Sequence, residues 1–586
     1  MRRLVFPLAI VFLLAPLLAA ANGIPTVNLP LHPSSVRPGR AGFTLHVTGT
    51  DFVPGALVNW NGVPLATSFL SQGRLAATVP AAYVASPATV NVTVTNPAPG
   101  GGRSGPVFFT VTTPSHSLTF SQSVLTVGLA PGAIVAGDFN NDGKTDLAVL
   151  NMNQPDSCYN SGYDSVGTIQ ILLGNGAAAF STASTTCFPD FLGVVGLPGL
   201  FAEDFEGNST LGVAADWYSR GSGAMTISIY TGDGHGNLNY KSDAGGTDTS
   251  QAIIPAFADF DRAGSLGCFF VQGDGDFPGL YNCLPGSLVS GGGDYVGSAA
   301  FAGDFNGDGI MDLALLGYDE GTPYIPGPLI IAMGTAQATF VDNSATQPVT
   351  TLISPVTAVL GDFNGDGILD LALADSGSAA LTVLLGNGDG TFTQKMGQPD
   401  AGLTTQFIAT ADLNGDGKLD LILVDSANSV LIFLGNGDGT FQTPLVVAAG
   451  NGASQVAVGD FNGDGRLDLA VVNTTDNTVS LLIQSPEATI LPSSLKFGKK
   501  AVGTASNSRP VYIKNTGSAA LQIASIIPSG DFTETKTCSS TLAIGQSCHL
   551  EVVFNPTAIG PRTGNITITD NAADSPQVIR LSGTGD

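Results

Sequence analysis

Charge of either sign is scarce in this chain of 586 residues, at 12% Asp, Glu, Lys and Arg together. Basic residues are the scarcer kind: 21 Lys and Arg stand against 47 Asp and Glu, a formal net charge of −26. Nucleic acid and anionic membrane surfaces attract basic patches, so neither is expected as a partner. There are only two tryptophans, and the five histidines, His32, His46, His116, His235 and His549, are scattered along the chain. No G-x-S-x-G elbow and no H-E-x-x-H occur, so the common hydrolase and metalloprotease signatures are missing. No C-x-x-C occurs among the six cysteines, which disfavours a zinc or redox motif. No apolar run beyond the first twenty residues approaches the ~18 needed to span a bilayer, so direct membrane insertion is not expected. Sustained helical periodicity with caps is also lacking.

What is present is apolar and turn-rich. Hydrophobic residues make up 43% of the chain, alongside 76 glycines and 35 prolines. That excludes disorder and points to an all-β protein of several domains. The start reads as a signal peptide over 1–21: Arg2 and Arg3, an apolar Leu4–Leu18, then Ala19-Ala20-Ala21. Export to an oxidising compartment, extracellular or at the cell surface, follows. Six cysteines allow fifteen connectivities. The simplest joins sequence neighbours: Cys158–Cys187, Cys268–Cys283 and Cys538–Cys548.

The acids cluster in a repeat, Asp-x-Asn-x-Asp-Gly-x-x-Asp-Leu. Complete copies start at Asp138, Asp304, Asp362, Asp412 and Asp460, and eroded ones at Asp204 (DFEGNSTLG) and Asp259 (DFDRAGSLG). Successive starts are 66, 55, 45, 58, 50 and 48 residues apart, a seven-fold repeat with the period of propeller blades. A second signature trails several copies: LLGNG from Leu172, LLGNGDGTF from Leu384, FLGNGDGTF from Phe433 and the weaker TGDGHGNL from Thr231. Such Gly/Asn/Asp clusters are hairpin turns. One repeat then reads as four strands: Val356–Leu360, Leu369–Ala374, Ala380–Leu385 and one from Phe392. Residues 117–127 resemble the strand that follows the GNGDG turn, and the last repeat stops at Leu481–Ile483, just short of it. The early strand is therefore expected to complete the last blade and close the ring rather than leave an open solenoid.

The loops have the donors of a calcium site, since calcium takes six to eight oxygens. In the loop from Asp362, side chains come from Asp362, Asn364, Asp366 and Asp370, and Ile368 at position seven offers its backbone carbonyl. The corresponding sets are Asp138, Asn140, Asp142, Lys144 and Asp146; Asp304, Asn306, Asp308, Ile310 and Asp312; Asp412, Asn414, Asp416, Lys418 and Asp420; Asp460, Asn462, Asp464, Arg466 and Asp468. At position seven only the carbonyl is counted, so Lys144, Lys418 and Arg466 are not expected to neutralise the carboxylates. Position twelve is apolar in all five copies and a strand follows, which excludes an EF-hand. The metal-free alternative is a plain Asx-rich turn. About five calcium ions per chain are expected. The eroded copies keep Asp204, Asp259 and Asp261 but have Gly212 or Gly267 at position nine, so they are expected to bind calcium poorly.

GDFNGDGILDLAL and LLGNGDGTF closely resemble the FG-GAP/VCBS repeats of integrin α-like propellers, over about residues 115–485. The resemblance implies a seven-bladed propeller with calcium in hairpin loops on one face. VTGTDFVPGALVNWNG (Val47–Gly62) resembles an IPT/TIG immunoglobulin-like domain, and LKFG, IKNTG, FNPT and LSGTG resemble the ASPM/SPD-2/Hydin-like immunoglobulin domains. The expected division is thus a signal peptide at 1–21, a β-sandwich at 24–113, the propeller at 114–485 and a second β-sandwich at 486–586. The expected function is calcium-dependent adhesion or binding of a glycan or an extracellular or cell-surface protein. The alternatives are a passive extracellular scaffold and a glycan-cleaving enzyme. The enzyme would draw on carboxylates outside the loops, Asp156, Asp164, Asp216 and Glu320. Trp217 is either a sugar-stacking platform or a blade-packing aromatic.

Overall fold

A computed structural model describes residues 22–115, 118–154, 166–188, 191–193, 199–208, 210–219, 225–247, 256–260, 262, 266–272, 279–282, 289–290, 295–319, 325–326, 329–335, 340–342, 355–375, 381–399, 405–572 and 575–586. These residues are all-β apart from one short 3-10 turn, Ala81–Val84. The proposed signal peptide lies outside them.

Among the described residues between 120 and 484, seven antiparallel sheets of four or five strands follow one another. The fifth shows the local logic. Its strands are Pro355–Gly361, Asp370–Asp375, Thr382–Gly386 and Phe392–Lys395, paired in chain order. The second strand reads as an unbroken apolar run because both of its faces are covered. Leu371 and Leu373 enter a core shared with Phe305, Leu316 and Ile331 of the sheet before. Ala372, between them, enters another with Leu421, Leu423 and Phe433 of the sheet after. Alternation along a strand thus serves two inter-sheet cores, each buried leucine contributing about 1.5–3 kcal/mol.

First strands run side by side around the assembly. Tyr295–Gly303 lies beside Pro355–Gly361, then Thr405–Ala411, then Ala453–Gly459, and that last strand lies beside Pro131–Gly137 of the first sheet. The ring thereby returns on itself. Its closure is the expected one: Phe120–Thr126 pairs antiparallel with Thr478–Gln484, from Phe120 opposite Gln484 to Thr126 opposite Thr478. The seventh sheet therefore takes its outer strand from the beginning of the repeat region and leaves no open ladder there.

Two sandwiches flank the ring. The N-terminal one packs a four-stranded on a six-stranded sheet around Leu45, Val47, Trp60, Val92 and Phe109. The C-terminal one packs a four- on a five-stranded sheet around Val511, Ile513, Val552, Phe554 and Ile566. Cys538 and Cys548 form a disulfide inside the latter. Cys187 is also disulfide-bonded, while Cys158, Cys283 and the side chain of Cys268 lie outside the described residues.

Candidate metal centres

Each complete acidic repeat forms the connection from the first to the second strand of its sheet. Gly143, Gly309, Gly367, Gly417 and Gly465, at position six, all have positive φ. A left-handed residue is what turns the chain sharply enough to bring positions one and nine together. At position four, glycine adopts positive φ in four loops, and Asn141 does so in the first, at 59°. Asparagine tolerates that region better than most residues.

Backbone amides organise the carboxylates. Asp362 accepts from Gly365 N and Asp366 N on Oδ1, at 2.7 and 3.1 Å, and from Gly367 N on Oδ2, at 2.7 Å. Asn364 Oδ1 accepts from Asp366 N at 2.8 Å, and Asp366 Oδ1 from Ile368 N at 2.9 Å. The loops from Asp138, Asp304, Asp412 and Asp460 repeat the bonds made by the amides of positions five, six and seven.

The ninth aspartate behaves differently, in a way its sequence position did not reveal. Asp146, Asp312, Asp370, Asp420 and Asp468 are fully buried. In each, Oδ2 accepts from the position-two amide, as in Phe363 N to Asp370 at 2.8 Å. Oδ1 accepts from the far end of the third strand, as in Gly386 N to Asp370 at 2.9 Å. It braces the loop against its own sheet. Burial, then repulsion from the first and fifth aspartates, pushes Asp146, Asp312 and Asp370 up to about 7 despite these amides. Asp420 and Asp468 are pushed well above the usual range for the same reasons.

Two lysines depart from the expectation. The side chain of Lys144 reaches back to Asp142 at 3.2 Å, and that of Lys418 to Asp416 at 4.0 Å. Position seven follows position five on the same side of the turn, so a long side chain folds over it. Such half-exposed pairs contribute about 1 kcal/mol at most. Arg466 donates from Nη2 to the Thr113 carbonyl while its charge still acts on Asp464 and Asp468.

In donor chemistry the loops fit a hard cation: carboxylate, amide and carbonyl oxygens held by a rigid turn, with a buried charge that lacks a full counter-charge. Among the described residues, no three acidic, histidine or cysteine side chains already converge on one point. The loop's own amides hold the oxygens instead. The eroded loop from Asp204 keeps the Asx turn, with Asn208 N on Asp204 Oδ1 at 3.1 Å, but has no brace because Gly212 stands at position nine. Asp259 keeps a different partner, accepting from Ile24 N at 2.8 Å, and Asp261 lies outside the described residues.

The second signature interlocks neighbouring sheets. Gly390 N, in the turn of the fifth sheet, donates to the Phe305 carbonyl at position two of the fourth loop. Gly439 does the same to Phe363, Gly236 to Phe139 and Ala178 to Phe461. Ala178 holds the left-handed φ of 55° that its counterparts leave to glycine.

Of the carboxylates considered for catalysis, only Asp216 falls within the described residues. Asp216 is fully buried in the second sheet, with Oδ1 on Gly199 N. Asp156, Asp164 and Glu320 lie outside the described residues. Trp217 is also buried and donates from Nε1 to Ser228 Oγ at 2.8 Å, so it packs within its sheet and offers no open stacking face.

Residues 362–423 and 412–471 match the FG-GAP-like repeat, and residues 130–172 the FG-GAP repeat. Residues 490–586 match Cep192 domain 4. No curated protein matches the chain significantly. Among solved structures, an ASH/PapD-like domain of human CEP192 is 15% identical, covering 17% of this chain and 87% of its own, at a TM-score of 0.15. An auxiliary nutrient binding protein from Bacteroides ovatus is 11% identical over 78% of this chain and 97% of its own, at 0.31. BBS1N, solved in complex with ARL6DN, is 12% identical over 63% and 97%, at 0.38.

Proposed function

We propose that this chain is an exported, calcium-loaded binding or adhesion protein whose seven-bladed propeller spans 114–485. Residues 24–113, an IPT/TIG-like sandwich, and 486–586 flank it. FG-GAP repeats are typical of extracellular ligand-binding and adhesion proteins and generally carry no catalysis, and the disulfides suit that setting. Among the described residues, no helix is long and apolar enough to cross a membrane.

One observation carries the calcium reading: five loops repeat the same oxygen donor set on the same amide scaffold. Calcium would be held by the side chains at positions one, three, five and nine and by the carbonyl at seven. Bound there, it supplies positive charge to carboxylates that burial has left without enough of it. The chain's own residues do the rest: the amides fix the carboxylates, and the ninth aspartate ties the loop to the third strand. Calorimetric titration of the metal-free chain should give about five calcium ions. Absence of heat or binding at ~10 mM calcium overturns the reading, since extracellular sites have dissociation constants of ~10⁻⁴–10⁻³ M. A glycan and extracellular-matrix array, run with and without calcium, tests the binding role.

A further inference from the structure

Among the described residues, the N-terminal sandwich lies across the acidic-loop side of the ring and touches five of its seven loops. At the third, Ile24 N donates to Asp259 Oδ2, and Arg262 Nε pairs with Asp51 Oδ1 at 2.7 Å. At the fourth, Asp51 N and Arg262 Nη2 both donate to the Gly309 carbonyl, at 3.4 and 3.0 Å. At the fifth, Asp362 N donates to the Leu29 carbonyl at 3.0 Å. At the sixth, Ser34 Oγ donates to Asp412 Oδ2 and Ser35 Oγ to the Gly415 carbonyl, at 3.2 and 3.0 Å. At the seventh, Gly465 approaches so closely that a Cβ would lie 2.4 Å from Ala88 N.

We propose that the acidic-loop face is the docking surface for this chain's own N-terminal sandwich, and that Arg262 pins it by supplying the positive charge the eroded third loop no longer draws from a cation. Asp51 and Asp259 are almost fully buried where sandwich and ring meet. Buried carboxylates need a paired cation. Arg262 follows Asp261 in a loop whose ninth position is Gly267, and its planar fork reaches a carboxylate of the sandwich and a carbonyl of the next loop at once. Lysine carries its three donors on one compact nitrogen and lacks this fork. The cover is incomplete: a cavity of about 550 Å³, lined by His32, Arg74, Asp304 and Asp366 among others, keeps the fourth and fifth loops open to water and ions. An outside partner that needs the covered part of this face must displace the sandwich.

Hydrogen–deuterium exchange on the full chain tests this, and only its chelator arm rests on the calcium reading. At saturating calcium, Arg262→Ala should speed exchange of segments 22–30 and 47–53 by about tenfold or more, because local opening sets that rate. Strands 370–375, 420–425 and 468–473 should keep their protection. Asp51→Asn should act in the same direction, and Arg262→Lys should fail to restore the protection. If both Arg262→Ala and Asp51→Asn leave the two segments protected, the proposal is wrong. Should Arg262→Ala also expose the core strands, Asp51→Asn alone decides. Chelation should loosen the same segments in the unaltered chain. If it does not while the variants do, calcium has no part in holding the sandwich and the role of Arg262 stands.

Discussion

Asp366 and Asp370 carry the same side chain four residues apart, and the fold treats them oppositely. Asp366 is exposed and holds one backbone amide and the Asn364 side-chain amide, both of its own loop, whereas Asp370 is buried and holds two backbone amides from different elements. In chelator, Asp370→Ala should therefore cost about 2–5 kcal/mol, as two buried donors lose their acceptor. Asp366→Ala should cost less than about 1 kcal/mol there and instead remove one calcium from the stoichiometry; urea unfolding and calorimetry separate the two. The repeat told both residues to be acidic but not which was a brace, because that depends on a strand end sixteen residues further on. Asp216 carries a different burden. Burial pushes it up to about 8, against 3.8 for an exposed aspartate. The folded state then holds a proton that the unfolded chain has released, so stability falls as pH rises from about 4 to about 8. Asp216→Asn should flatten that part of the pH profile and stabilise the protein at pH 8, as thermal melts across that range would show.

Strands and turns were more legible than single side chains. The Val356–Leu360 and Leu369–Ala374 readings fall within a residue of Pro355–Gly361 and Asp370–Asp375, because acidic loop and apolar run alternate sharply. The pairing of Phe120–Thr126 with Thr478–Gln484 was also foreseeable, from a strand too many at one end and one too few at the other. What pattern alone did not show is the bond from each GNGDG turn to the preceding loop, since that contact joins different repeats. Removing residues 120–126 should leave the edge of Thr478–Gln484 unpaired. Size-exclusion chromatography with light scattering should then find oligomers or aggregate in place of monomer. A monomer with unchanged melting would show that this strand is dispensable.

At the scale of the whole molecule, cations and ring closure act on the same object. At ~1 mM calcium, a site of ~10⁻⁴ M affinity adds roughly 1.4 kcal/mol, and five would add about 7, near the stability of a typical domain. Chelation should lower the melting temperature of the ring by many degrees and leave the C-terminal sandwich, which has its own core and disulfide, melting as before. Calorimetric scans with and without chelator resolve the two transitions; a ring transition indifferent to chelator contradicts the assignment. The closure has a further consequence, in time. Thr126 and its partner Thr478 are separated by most of the repeat region. A ribosome adding about 5–20 residues each second needs roughly 20–70 s to cover that interval. For that long, the first-made strand of the ring has no partner in existence. The newborn chain must keep it soluble and unengaged until the last repeat emerges, and its polar run Ser121-Gln122-Ser123 suits a strand that has to wait.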